Sequence, residues 1–415
     1  MISNLRAPRG GPRPDGVSAY CHDLFHHFAR SDQRRWGEVY LRGLRRAGGR
    51  RTPANISEEV LGRRLVQPIQ QFVNQSPWES GDVRRRLAEL VTAAAAPQAW
   101  VVDDVVFAKN GTSSVGVARQ FVPAAGRIVN CQLALATSLV HPHGAQPVTW
   151  RLLLPPQWDA DPELRARAHL PAEARHLPRW QHLLDSVDEV TGWEVPTAPV
   201  LADWSGEPEV EPLLLGLEER GPGYLVEVGA DTALPARDRR ARPVLPGVRP
   251  APRTSAVVHR RAAELADELA PQGDRAVLAW RRGPADRVRH SQFLVLPLSD
   301  GHAPRPGRSA GAPAAPRRLV VEWPFGRPRP RTYWVTNLPA HRLPDLVALA
   351  ELRGRSADTV ERLHRNYGLG DFEGRSYRGW HHHVTLVAAA HGYDLLGRLR
   401  RLAAPEPARP VSATG

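Results

Sequence analysis

At 415 residues the chain is long enough to bury a full α/β core with accessory parts, and its balance of 42% apolar and 24% charged residues excludes wholesale disorder. A formal charge of +13 and a pI near 10.8 make nucleic acid the first partner to consider, although an arginine-rich coding bias would raise the charge too. Cys21 and Cys131, far apart and outside any CxxC, exclude a disulfide framework or zinc ribbon and fit a reducing cytoplasm, while the lack of a signal-like N-terminus or of an apolar run long enough to span a bilayer argues against secretion and membrane insertion.

From about residue 17 to 90 the pattern predicts helices, with Leu24, Phe28, Val39, Leu41 and Leu44 spaced among Arg34, Arg35, Arg42, Arg45 and Arg46. This reads as a basic, helical, DNA-binding N-terminal domain over 1–95. Ser76 and Pro77 are placed as N-cap and first residue of its last helix. Residues 99–107 form a β-branched run that climbs into Asp103 and Asp104, and 127–140 and 148–154 follow as strands, an antiparallel group of three. A helix near 180–190, a strand at 198–203, a helix at 209–220 and a strand at 223–228 complete the first part of an RNase H-like core over 96–230. The Pro-, Gly- and Arg-rich stretch 230–254 reads as a loop. Strands at 276–280, 291–297, 319–323 and 332–337, broken by the low-complexity run 301–316, make a strand-rich insertion over 231–340. Helices from 343 to about 367 and from 380 to about 399 complete the core over 341–402, and 403–415 are expected to be a disordered tail. The expected fold class is α/β: an RNase H-like core with a helical N-terminal domain and a strand-rich insertion before the last catalytic helix.

Carboxylates at strand ends usually cap a turn or face solvent. Asp103 and Asp203 stand out because each is read as ending a strongly apolar strand, where an acid projects from the sheet edge beside its neighbours. Two-metal phosphodiester chemistry needs such a cluster, one ion activating the attacking oxygen and the other stabilising the leaving oxygen. On position alone the metal reading and the cap reading both stay open.

Further motifs decide between them. Val101-Val102-Asp103-Asp104, Lys109-Asn110-Gly111, the run from Ser114 through Arg119 to Phe121, and Asn130-Cys131-Gln132 resemble the first-aspartate region of bacterial insertion-sequence transposases with a DDE endonuclease domain. Trp150 to Pro155, Leu201-Ala202-Asp203, Phe372-Glu373-Gly374-Arg375-Ser376 and Trp380-His381-His382-His383 continue the resemblance in order, and Phe28-Ala29-Arg30-Ser31 extends it to the N-terminal block. The resemblance implies Mg²⁺- or Mn²⁺-dependent cleavage and transfer of double-stranded DNA at element ends by a nucleoid-associated protein, with Asp103 and Asp203 as the first two metal-binding acids. A homodimer is a further expectation of the resemblance. Lys109, Arg119, Arg375, Arg378 and His381 are the expected DNA contacts.

The third acid departs from the pattern. Such transposases carry it on a helix in an Arg, three residues, Glu, six residues, Lys arrangement; counted from Arg353, Ala357 stands in place of Glu and His364 in place of Lys. Asp358 is adjacent and Glu361 lies one turn beyond Ala357, so Asp358 as metal ligand and Glu361 as catalytic acid are the candidates, each requiring the helix to shift. Glu373 is read first as a structural residue. A catalytically degenerate, domesticated transposase that binds DNA without cutting it is the alternative. Lys109, the sole lysine, suggests a place for a compact ammonium beside a phosphate, against chance survival. Three consecutive histidines at 381–383 cannot converge on one zinc from a regular helix, which leaves a helix start near DNA or core packing. Trp36, Trp78, Trp150 and Trp323 read as core.

Overall fold

In a computed structural model, which describes residues 16–46, 49–122, 125–237, 257–272, 275–282, 287–298, 316–339 and 342–403, five helices come first: α1 (Gly16–Leu24), α2 (Ser31–Arg45), α3 (Pro53–Leu61), α4 (Val66–Asn74) and α5 (Ser80–Ala94). The spacing of Val39, Tyr40, Leu41 and Leu44 turns one side of α2 inward and leaves Arg35 exposed, with Arg34, Arg42 and Arg45 half-buried. Thr52 caps α3 by accepting from the Asn55 amide, with Pro53 at the first helical position. The start expected at Ser76-Pro77 is not used. α5 begins at Ser80, because Trp78 is drawn into the core between Phe28, Phe72 and the ring of His382, and that burial outweighs the local capping signal.

The chain continues through β1 (Ala99–Ala108), β2 (Ala118–Val122), β3 (Arg127–His141) and β4 (Gly144–Leu153), then α6 (Pro156–Ala160), α7 (Pro162–Ala168) and α8 (Arg179–Thr191). β5 (Val200–Trp204), α9 (Glu211–Arg220) and β6 (Tyr224–Val228) follow. The antiparallel β1, β3 and β4 and the parallel β1, β5 and β6 make a five-stranded unit in the order β4–β3–β1–β5–β6, with β2 an additional strand on the remaining half of β3. The small β7 (Ala233–Arg237) falls in the stretch expected to be a loop and pairs with β8 (Val257–Arg261), which leads into α10 (Ala262–Leu269); residues 238–256 lie outside the described ones. β9 (Ala276–Trp280), β10 (Arg289–Pro297), β11 (Arg318–Pro324) and β12 (Thr332–Thr336) do not build a block of their own. β12 pairs with β6, so the strand-rich stretch extends the same sheet to ten strands. Most of the 301–316 run and the expected tail lie outside the described residues. α11 (Leu343–Tyr367) and α12 (Tyr377–Ala403) complete the chain.

Strand alternation divides the core. Trp100 and Val102 pack with Val200, Ala202, Tyr224 and Val226 against α8 and α9. Val101, Leu201 and Leu225 point the other way, under Leu346, Val347 and Leu352 of α11. Nearer β4, Val105, Phe107, Trp150 and Leu152 share one cluster with α12 and with α1, α2, α4 and α5, so the basic helices wrap the last helix and enclose a common core with it.

The sheet extension holds a fully buried carboxylate. Glu322 accepts from Ser291 Oγ (2.7 Å), Thr332 Oγ1 (2.9 Å) and Trp280 Nε1 (3.1 Å). Glu322→Ala strands buried donors on three strands and should cost about 3 kcal/mol, read as a lower urea midpoint with an unchanged slope.

Candidate active site and nucleic-acid face

The register lines up three acids. β1 runs parallel to β5 with Val102 opposite Ala202, which puts Asp103 next to Asp203, and Asp203 is directly opposite Glu227 of β6. Asp103 does not end its strand, as β1 runs on to Ala108. All three acids share the face of Val101, Leu201 and Leu225, the face that α11 covers. Asp104 is one residue on and therefore points to the opposite face. There its carboxylate takes a two-pronged ion pair from Arg179 (3.0 and 2.8 Å), whose guanidinium lies over Trp204.

From α11 the Arg353 side chain reaches all three acids. Arg353 Nη2 donates to Asp203 Oδ2 (2.7 Å), Nη1 donates to Glu227 Oε2 (2.8 Å), and Nε stands 3.9 Å from Asp103 Oδ1. Arg282 pairs with the other oxygen of Glu227. Ser205 donates to Asp203 Oδ1 from both its amide (2.9 Å) and its hydroxyl (2.6 Å). Burial pushes the Asp103 carboxyl up to about 6; Arg353 and the nearby Ser356 hydroxyl pull it down, and Asp104 and Asp203 add to the rise. Asp103 Oδ2 nevertheless has no hydrogen-bond partner. Burial also pushes Asp203 up, but Arg353, Ser205 and Arg282 outweigh it and hold the group below its ordinary value. The two acids thus differ in their supply of compensating donors.

Ala357 is exposed, and Glu361 is an exposed residue paired with Arg365 one turn on. Asp358 is half-buried on the same helix. His364 lies against Phe107, its pKa lowered by burial, raised by Asp371 and lowered by Lys109. The lone lysine therefore stands near the helix position where a lysine was expected. Its ammonium donates to the Phe372 carbonyl (3.1 Å), which ties the end of β1 to the loop before α12. Among the described residues, no three His, Cys, Asp or Glu side chains are close enough as they stand to hold a metal ion.

His381 corrects an expectation: it is buried between Tyr377 and Trp380, and its ring is not presented to a phosphate. His382 sits between the carbonyls of Val73 and Trp78, and His383 between the Tyr40 hydroxyl and the Gly368 carbonyl, so all three histidines serve the core. Arg119, Arg375 and Arg378 are exposed. Beside Arg375 an open groove is lined by Gln67, Gln70, Gln71 and Asn74 of α4 together with Arg167 and His169. Spaced three and four apart, these amides occupy one face of α4, and α4 packs on α3 across the short 62–65 turn. The amide row was missed in the sequence, although its spacing is visible there. Glu227, also missed, is an acid inside the apolar run Tyr224-Leu225-Val226-Glu227-Val228 and repeats the context of Asp203.

A sequence profile of the DDE superfamily endonucleases matches residues 23–287, more than half of the chain. The chain belongs to the DDE superfamily of endonucleases. No curated protein matches it. Membership implies a DNA substrate, and the mixed α/β sheet fits a DDE nuclease fold. The matched span of this DDE protein contains Asp103, Asp203 and Glu227 and stops short of α11.

Proposed function

We propose that the protein is a transposase that cuts DNA at the ends of a mobile element and joins it to a target, with Asp103 and Asp203 as its cation-binding pair. The observation that carries this reading is the placement of the two acids in one register row of adjacent parallel strands. The order β4–β3–β1–β5–β6 supports an RNase H-like core. A hard divalent cation suits the donor set: both groups are carboxylates, and Asp103 Oδ2 is a buried acceptor without a partner. Asp103 and Asp203 would hold Mg²⁺ or Mn²⁺, which when bound supplies Lewis-acid activation of the scissile phosphate and its nucleophile. The chain's own groups bind and orient the duplex. Arg375 and Arg378 meet phosphates, and the amides of Gln67, Gln70 and Gln71 have the donor and acceptor pair that reads adenine in a major groove.

A second reading has its own observation. Arg353 neutralises the acids and Ala357 offers no carboxylate, which favours a protein that binds element ends without cutting them. Incubation of an end-containing duplex with Mg²⁺ or with EDTA separates the two. Nicking confined to Mg²⁺ supports the transposase, and tight binding without nicking in either supports the second reading. Both predict salt-dependent binding: six phosphate contacts give a loss of about 10³-fold between 50 and 200 mM salt. A flat titration removes the nucleic-acid face. Gln70→Ala with Gln71→Ala should weaken binding to the element end and leave binding to random duplex unchanged, as measured by competition.

A further inference from the structure

We propose that Glu227 is the third carboxylate of the cation site formed with Asp103 and Asp203, and that Arg353 is a built-in counter-ion that a divalent cation must displace to enter. The inference rests on the reading of Asp103 and Asp203 as a cation-binding pair and deepens it.

Three observations lead to it. The first is position. Glu227 is the direct neighbour of Asp203 across β5 and β6, as Asp203 is of Asp103 across β1 and β5, so the three acids form a row across three parallel strands on one face. An acid at position 357 would have had to come down from the helix; Glu227 is already in the row. The second is burial. Glu227 lies within a strand whose residues are all buried, and its side chain is 8% exposed. A carboxylate there is costly to keep unless something cationic requires it. The third is the unbalanced demand. Three carboxylates face two guanidiniums, those of Arg353 and Arg282, and Arg353 serves them unequally: it donates to Asp203 and Glu227 but stays 3.9 Å from Asp103. Asp103, with its side chain 9% exposed, keeps Oδ2 outside any well-formed hydrogen bond, although the Ser356 hydroxyl lies near the carboxyl. A guanidinium is planar and its donors fan out in one plane, so it satisfies two of these acids and leaves the third short. A compact ion that accepts oxygens from several directions has no such restriction.

The Arg353 guanidinium lies among these three acids, which as they stand are not grouped closely enough to hold an ion. Arg353 reaches them from α11, the helix that lies across this face of the sheet, so a change of its rotamer opens the cluster without moving a strand. The lost helix glutamate is then replaced from the sheet, and Asp358 and Glu361 are not required.

Mn²⁺ alone, titrated into the full chain without DNA, provides the test, followed by calorimetry and by the rise in melting temperature. The wild type should bind it. Glu227→Gln keeps an acceptor for Arg353 but loses the charge, and should weaken Mn²⁺ binding by about ten-fold or more. Arg353→Gln should tighten it by about ten-fold, because the competing cation is gone. Glu361→Gln should change nothing. If Glu227→Gln binds Mn²⁺ as the wild type does while Asp203→Asn does not, the role of Glu227 is overturned and the Asp103–Asp203 reading stands. Arg353→Gln binding more weakly overturns the counter-ion role. If neither wild type nor Arg353→Gln binds Mn²⁺, the inference and the cation reading fail together. Should Glu227→Gln not fold, Glu227→Asp takes its place, since it keeps the charge and withdraws it by one methylene. A purely structural network would lower the melting temperature of that variant and leave its Mn²⁺ affinity unchanged.

Discussion

Lowering the pH from 7 to 5 will destabilise the protein by several kcal/mol, and histidine burial is the cause. Burial holds His182, His382 and His383 down at about 4 and His391 at about 3, against an ordinary value of 6.5. His381 is lowered as well, by burial and by Arg84 and Arg151. A folded-state value below the unfolded one means that the unfolded chain binds more protons between the two, so stability is fully present above about 6.5 and is lost as the pH falls toward 4. Each of the four histidines with a stated value loses on the order of 2 kcal/mol at pH 5 relative to pH 7. Their sum is comparable to the whole stability of a typical domain. Asp103 works in the opposite direction: raised to about 6, it takes up its proton earlier in the folded state, and the cost of burying its charge is relieved on acidification. One acid cannot offset four histidines. Urea unfolding at pH 7, 6 and 5 should show a falling midpoint, and His391→Gln should flatten the fall, because an amide of similar shape has no proton to gain. A midpoint independent of pH would mean that the histidines are hydrated in solution.

Much of this fold could be read from the residues. The nine strand candidates all exist, because β-branched runs bounded by Pro and Gly fold as strands whatever they pair with. Pairing itself was not legible. Nothing in residues 319–336 signals that β11 and β12 extend the sheet beyond β6, since an apolar strand reads the same in a separate block and in the middle of a sheet. The site followed the same division. The contexts of Asp103 and Asp203 singled them out, and strand geometry then placed them in one row. Glu227 had an equally apolar context, but the family pattern directed attention to the helix, where Ala357 is exposed. His381 failed as a surface signal for a related reason: an Arg-flanked polar run looks solvated, yet α12 is enclosed by α5, α2, α4 and β4, and each ring of the neighbouring pair His382 and His383 finds a backbone carbonyl there.

Asp103→Asn is expected to abolish cleavage while DNA binding survives, and Asp104→Asn, one residue away, is expected to leave cleavage intact. The two differ only in the face of β1 that they occupy. Asp103 is buried in the row with Asp203 and Glu227, where its charge has one distant cationic neighbour and an oxygen with no partner. Loss of that charge removes a ligand from the site where the phosphate must be activated, and should cost about 10³-fold in cleavage rate, or about 4 kcal/mol of transition-state stabilisation. Asparagine is nearly isosteric and carries no charge to bury, so the variant should be at least as stable as the wild type near neutral pH. Asp104 is half exposed and bound to Arg179 on the α8 side of the sheet; such a pair contributes at most about 1 kcal/mol to stability. DNA affinity should be unchanged or slightly tighter in Asp103→Asn, because a carboxylate near a phosphate repels it. Gel-shift and nicking assays on the same three proteins decide the matter. Equal cleavage by wild type and Asp103→Asn would remove the acid row from the chemistry, and equal loss in both variants would mean that the face of β1 does not matter and that the strand itself had been disturbed.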